Sequence, residues 1–215
     1  MAVSASTRST YAPVKLPDLV GGLCFAAVTA FLVTDAGLVA SLTKAHPYAM
    51  GFAKFAILAT FGECLKNRLT TARWLPSSLP LRFLIWGIFG MWITATFPFM
   101  DGGVRTLASL HLWPATPAAF WMSTWINLFA GFGFFMMFVH YWTDSMLVQG
   151  FHAPWQLFGR PETVRWGKVI LVSIVLFWIP AHTVTFLLPP VWRILFAAYL
   201  GIALGLILSF AARTK

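Results

Sequence analysis

The sequence predicts an all-α, polytopic membrane helix bundle of about six transmembrane helices, with both termini on the cytoplasmic side. Three observations lead there. The 215 residues are 59% hydrophobic and only 10% charged, whereas soluble domains carry about 25% charged residues. Six apolar runs each approach the ~20 residues that a helix needs to cross a hydrocarbon core of about 30 Å. Lysine and arginine gather in alternate connections between those runs, which is the pattern that orients membrane helices.

The runs, in order, are Leu19–Leu42, Pro47–Leu65, Leu81–Met100, Ala118–Val139, Val169–Leu188 and Val191–Ala211. None alternates apolar and polar residues as the strands of a β-barrel would. Residues 1–17 are polar and read as a disordered cytoplasmic tail. The first run is too long for a cleaved signal peptide and reads as a retained first helix. Residues 18–211 then form one transmembrane domain, and residues 212–215 a short cytoplasmic tail. The last two runs are parted only by Pro189-Pro190, which predicts a tight helical hairpin. The one sizeable connection, 145–167, mixes Phe151, Trp155, Phe158 and Trp166 with Arg160, Glu162 and Arg165. That composition predicts a cytoplasmic segment lying on lipid headgroups or binding a partner.

An inside N-terminus places Arg8, Lys15, Lys66, Arg68, Arg73, Arg82, Arg160, Arg165, Lys168, Arg213 and Lys215 on one side. Lys44, Arg105 and Arg193 fall on the other, with Lys54 inside a run. Eleven against three is the asymmetry that six spans require; five would break it. The net charge of +9 is therefore topological, and its placement argues against a nucleic-acid partner. Trp74 and Trp142 are expected in the cytoplasmic aromatic belt, and Trp113, Trp121 and Trp192 in the opposite one. Cys24 and Cys64 show no metal or redox spacing and are expected as buried apolar thiols.

Charged groups inside hydrocarbon cost about 2.5–3.5 kcal/mol each on insertion scales, so each needs a reason. Depth sorts them into two groups. Asp35, Lys54 and His182 match in depth near the outer half, which suggests an Asp35–Lys54 ion pair beside His182. It would serve either as the lining of a permeation path or as a structural lock between helices. Glu63, His140 and Asp144 match near the cytoplasmic face. His140 and Asp144 are four apart and share a helix face; the trio reads as a hydrogen-bonded helix terminus or, less simply, as ligands for a divalent ion. No metal and no cofactor is assigned. On the last run, Ala197, Gly201, Gly205 and Ser209 recur every four residues, a small-residue stripe that lets another helix approach closely. Arg193 tops that face, within reach of the carbonyls near Pro189-Pro190. Acyl-transfer, metalloprotease, phosphate-loop and dinucleotide signatures are absent, so no enzymatic activity is expected.

The stretch Trp178-Ile-Pro180-Ala-His182-Thr-Val-Thr185-Phe186-Leu-Leu-Pro189-Pro190-Val-Trp192-Arg193 resembles the signature of the Mpv17/PMP22 family of peroxisomal, mitochondrial and bacterial membrane proteins. In that family a Trp and Pro precede Gln-x-x-Asn-Phe, then Val-Pro and an Arg. Here His182 stands at the Gln, Thr185 at the Asn, and the spacing slips by one residue on either side of Phe186. His46-Pro47-Tyr48 with Gly62-Glu63 is similar to the family's first helix. Asn127 and Gly131 fall where the family has Asp-Gln and then Pro, and His140-Tyr-Trp-Thr-Asp144 is similar to bacterial members. The resemblance covers about residues 46–211. It implies a small helical membrane protein, in the plasma membrane of a bacterium or an organelle of a eukaryote, forming a channel or supporting metabolite homeostasis.

Two functions follow as expectations. One is a channel- or transport-like protein lined by Asp35, Lys54, His182 and Glu63. The other is a non-catalytic accessory subunit, in a homo-oligomer or a larger membrane complex, packed through the small-residue stripe and the aromatic connection. A metalloenzyme using Glu63, His140 and Asp144 is a third.

Overall fold

A computed structural model describes residues 15–213, with side chains through Leu206. The N-terminal segment with Arg8, the last residue Lys215, and the side chains of Ser209 and Arg213 lie outside the described residues. Among those described, every regular element is helical.

The first run is not one helix. It divides into α1 (Leu16–Thr34) and α2 (Ala36–Ala45) at Asp35. Thr34 Oγ1 bonds back to Ala30 O at 3.0 Å and donates to Asp35 Oδ2 at 3.0 Å. The Thr34 hydroxyl thus competes for a carbonyl of the helical ladder at the break. Pro47 then starts α3 (Pro47–Thr71), where its missing N–H costs nothing in the first turn. α4 (Leu79–Ser109) is the longest element at 31 residues and contains Pro98. The fourth run bends by 48° between α5 with its continuation (Ala118–Phe129) and α6 (Phe132–Gln149). Gly131 takes φ +66° at that bend, a conformation that favours glycine.

The connection expected over 145–167 is shorter. α6 runs on to Gln149, a single turn forms at Pro154–Leu157, and α7 (Pro161–Ser173) begins at Pro161. α7 passes through a wide turn at Ile174–Trp178 into α8 (Ile179–Leu187), and α9 (Pro190–Arg213) follows across the expected Pro189-Pro190 break. Among the described residues, four helices are long and apolar enough to cross a membrane, or five if the bent pair counts as one span; Pro190–Leu206 is a shorter apolar helix. That profile is compatible with a membrane location.

Neighbouring helices alternate in direction, as their contacts show. Asp18 meets Arg68 and Phe25 stacks on Phe61, so α1 opposes α3. Glu63 meets Arg82 while Gly51 meets Gly90, so α3 opposes α4. Trp86 meets His140 while Trp92 meets Phe132, so α4 opposes α6. α9 instead lies parallel to α3, with Gly201 on Ala59 and Gly205 on Gly62.

α3 is the hub, and its small residues explain why. A Cβ on Gly62 would sit 2.6 Å from Gly201 O, and one on Gly205 2.5 Å from Gly62 O. Only hydrogen fits at either position, and the backbones approach as small-residue stripes allow. The stripe of Ala197, Gly201 and Gly205 is therefore occupied inside the chain, by α3. Packed round this contact is a core that includes Phe55, Leu58, Trp86, Phe97, Ile126 and Trp178. The exterior is the reverse of a water-soluble protein's, with Leu16, Leu23, Ile88, Leu128, Leu176 and Leu187 all exposed. Cys24 is on that exterior and Cys64 is half-buried. The expectation of two buried thiols fails for Cys24, because α1 buries none of its residues.

Candidate functional site

The pairing expected in the outer half does not form. Asp35 is exposed at the α1–α2 break and bonds to Thr34. Lys54 is 4% exposed and donates to Thr43 Oγ1 on α2 at 2.7 Å. It makes no ion pair among the described residues. The depth estimate assumed a continuous helix through Asp35, and the break removes that register. His182 stands apart from both. On α8 it accepts Asn127 Nδ2 at 2.9 Å, and its ring meets Phe97 and Trp178 at 5.6 and 5.3 Å.

The group near the other end does converge, around Arg82, a cation expected at the cytoplasmic edge of the third apolar run. Arg82 bonds Glu63 Oε2 at 3.0 Å, pairs with Asp144, and donates its Nε to Ser77 O at 2.9 Å. Lys66 Nζ is 3.0 Å from Glu63 Oε2 and 3.8 Å from Asp144 Oδ2, and His140 Nε2 is 3.2 Å from Glu63 Oε1. Two carboxylates are thus held by two of the chain's own cations, in the place a divalent ion would need. Among the described residues no group of His, Cys, Asp or Glu is arranged to hold a metal.

Three further ion pairs, at two acidic residues, were not anticipated. Asp18 accepts Arg68 Nε and Nη2 at 2.5 and 2.7 Å and Trp74 Nε1 at 2.6 Å, which fastens α1 to the end of α3. Asp101 accepts Arg193 Nη1 at 2.6 Å and Arg105 Nε at 2.5 Å. Arg193 also caps α8, through Leu188 O at 3.0 Å and Phe186 O at 3.1 Å. One rule could have found both: an acid at the end of an apolar run needs an arginine at matching depth on another helix.

Between the two charged ends lies a row of cavities. A vestibule of about 810 Å³ opens where α2, α4 and α9 meet, lined by Thr43, Lys44, Thr94, Asp101, Arg105 and Arg193 among others. Pro98 has no N–H to give the Thr94 carbonyl, and both residues line the same space. Phe97 lines both the vestibule and a central cavity of about 30 Å³, whose lining includes Asn127, Trp178 and His182. That volume has room for roughly two waters. Trp86 and Met137 in turn are lining residues that the central cavity has in common with recesses of about 10 and 310 Å³ beside Arg82, His140, Asp144 and Lys66.

The central cavity is built on irregular helix. Ala130 N bonds Trp125 O at 2.8 Å, five residues back, and the Ile174–Trp178 turn closes in the same way from Ile179 N to Ile174 O. Such wide turns recur at functional sites because they re-aim side chains. Here one carries Asn127 and the other ends at Trp178. Gly133 makes room for the amide, since a Cβ there would lie 2.7 Å from Asn127 Oδ1. Ser123 Oγ donates to Ile179 O at 2.7 Å and ties the two irregular stretches together. The indole N–H of Trp178, a residue lining the cavity, is buried without a hydrogen-bond partner among the described residues. A buried donor of this kind is costly unless something polar visits it.

No protein-family model, curated protein or solved structure matches this chain. Its class rests on its own geometry, a helical bundle with an apolar exterior, ion-paired ends and cavities in series between them.

Proposed function

We propose that the protein is a six-span membrane protein that passes small solutes or ions through the row of cavities, and that the structure describes its closed form. One observation carries the reading: the central cavity has Phe97 as a lining residue in common with the vestibule, and Trp86 and Met137 in common with the two inner recesses. Rotamer changes at those residues would join the spaces without unpacking the α3–α9 contact. Permeation through a bilayer needs polar groups facing a wet interior. Asn127, His182 and Trp178 supply them at mid-depth.

The six-span count is supported by α9, whose 24 residues at 1.5 Å each give about 36 Å, enough to cross. The alternation of helix directions supports both termini lying on one side, and the cation count supports the cytoplasm. The likeness to the Mpv17/PMP22 family agrees with a small channel of this kind. Of the residues first expected to line the path, His182 keeps that role. His140 and Asp144 border both inner recesses, Glu63 bonds Arg82 and His140 beside them, and Lys54 stands behind Thr43 at the vestibule.

An accessory-subunit reading is favoured by a different observation: α1 has no buried residue, so its apolar surface is free for lipid or for a partner helix. Purified protein in liposomes separates the two. The channel reading expects flux of small ions or solutes well above empty liposomes. An absence of flux from correctly folded protein, together with a stoichiometric partner on gentle purification, would favour the subunit.

A further inference from the structure

The charges lining the vestibule are unbalanced, and the imbalance identifies a ligand class. Lys44, Arg105 and Arg193 face the same space as Asp101, the one carboxylate among the described lining residues. Both oxygens of Asp101 are already engaged, Oδ1 by Arg105 and Oδ2 by Arg193. Arg193 is in addition committed to two carbonyls. Lys44, by contrast, is exposed and has no ion-pair partner among the described residues. Arg105 spends only its Nε on Asp101 and holds its terminal nitrogens in the open. Lys54 reaches the same corner through Thr43, which lines the vestibule.

From this we propose that the vestibule is a binding mouth for small oxyanions, with a phosphate-type group held between Lys44 and the free edge of the Arg105 guanidinium. A concave, low-dielectric wall with surplus positive charge focuses the field and concentrates counter-ions. Guanidinium and ammonium groups are the usual partners of phosphate oxygens. The phosphate can belong to a free anion or to a lipid headgroup reaching in from the side. The inference rests on the channel reading for what happens to the anion next, but not for its capture.

Gly102 provides a probe. It lines the vestibule, and a Cβ added there meets nothing within 4 Å. Gly102→Cys, in a Cys24→Ala/Cys64→Ala background, is labelled in phosphatidylcholine nanodiscs with a sulfonate-bearing and a trimethylammonium-bearing methanethiosulfonate. Each rate is divided by that reagent's rate with a free small thiol. The expected ratio favours the anionic reagent about tenfold or more at low salt. Lys44→Glu, at an exposed residue outside the ion pairs, should lower it several-fold. Millimolar inorganic phosphate should slow labelling if the anion is free; phosphatidylglycerol in the nanodisc should do so if it is a headgroup. A ratio near one that ignores Lys44→Glu, or no protection from either source, would overturn the proposal. A high ratio with protection but no liposome flux leaves the anion site standing and removes the channel. Flux without preference or protection does the opposite.

Discussion

Asp101 and Arg193 lie 92 positions apart, and their 2.6 Å bond joins the far end of α4 to the first turn of α9. The same guanidinium closes α8 by taking the Leu188 and Phe186 carbonyls. One side chain therefore fixes the angle of the α8–α9 hairpin and its distance from α4. Asp101→Asn keeps the shape but leaves Arg193 without its counter-charge in a mostly buried place. Removing one partner of such a pair is expensive, and the partial exposure here puts the expected loss at about 2–3 kcal/mol. Reversible unfolding in mixed micelles would show it. Arg105→Gln, on the exposed side of the same carboxylate, should cost well under 1 kcal/mol.

The glycine contact between α3 and α9 predicts a sharp contrast. Gly62→Leu places a branched side chain against the Gly201 backbone, which cannot yield without separating the helices. A loss on the order of 3 kcal/mol or more is expected, seen as a lower unfolding midpoint or as failure to purify as a single species. Gly102→Ala meets open space on α4 and should stabilise by about 0.5–1 kcal/mol. Equal effects at the two positions would mean that α3 and α9 are not in backbone contact.

The all-helical class and most of the apolar helices were legible in the sequence, because hydrophobic length is a one-dimensional signal. Pro47 and Pro189-Pro190 fall at breaks for the same reason, since proline acts through its own backbone. The α1–α2 break at Asp35 was missed because Thr34 and Asp35 lie within an unbroken apolar run. The site was harder to read. Depth matching ranks residues along the membrane normal but says nothing about azimuth, so it grouped Asp35 with Lys54 although they face different neighbours. Glu63, His140 and Asp144 do lie together; i,i+4 spacing gives the shared face of His140 and Asp144, but no such signal fixes the direction of Glu63. Arg82 and Asp101 went unnoticed as partners because each sits at the edge of a run, where charge needs no explanation. Asn127 depends on a wide turn that no periodicity announces.

Phe97 lines both the vestibule and the central cavity, and on the proposed channel reading its removal should open a path between them. Phe97→Ala is expected to raise solute flux in liposomes several-fold, at a stability cost of about 3 kcal/mol. Phe186→Ala is the control. That ring is also buried and lies 5.2 Å from Phe97, yet it lines neither of the two spaces. It should lose similar stability without the gain in flux. A parallel rise in both variants would indicate leak through a damaged bundle.

The proposed six-span threading has the α3–α4 connection and the end of α4 on opposite faces of the membrane. Cysteines introduced at Arg73 and at Gly103 should therefore react with an impermeant maleimide from opposite sides of sealed vesicles. In cells, the cation count predicts Arg73→Cys in the cytoplasm and Gly103→Cys outside. Labelling of both from one side would break the threading, and with it the idea of cavities linked across a bilayer.

Lys54 offers the cleanest separation of structure from function. Its amine is buried, makes one hydrogen bond to Thr43 Oγ1 at 2.7 Å and has no carboxylate partner among the described residues. Nothing in the fold depends on that bond, because the Thr43 hydroxyl donates to Val39 O at 2.6 Å and stays satisfied without the lysine. Met has nearly the same length and carries no charge to desolvate. Replacing poorly compensated buried charge by an apolar side chain of similar volume is neutral or stabilising, so Lys54→Met should gain roughly 0–2 kcal/mol. If the amine feeds the vestibule, the same variant should pass less anion than the wild type. A more stable protein with lower flux would show that the lysine is kept for transport. A stability loss above 1 kcal/mol would instead make Lys54 a structural tie between α2 and α3.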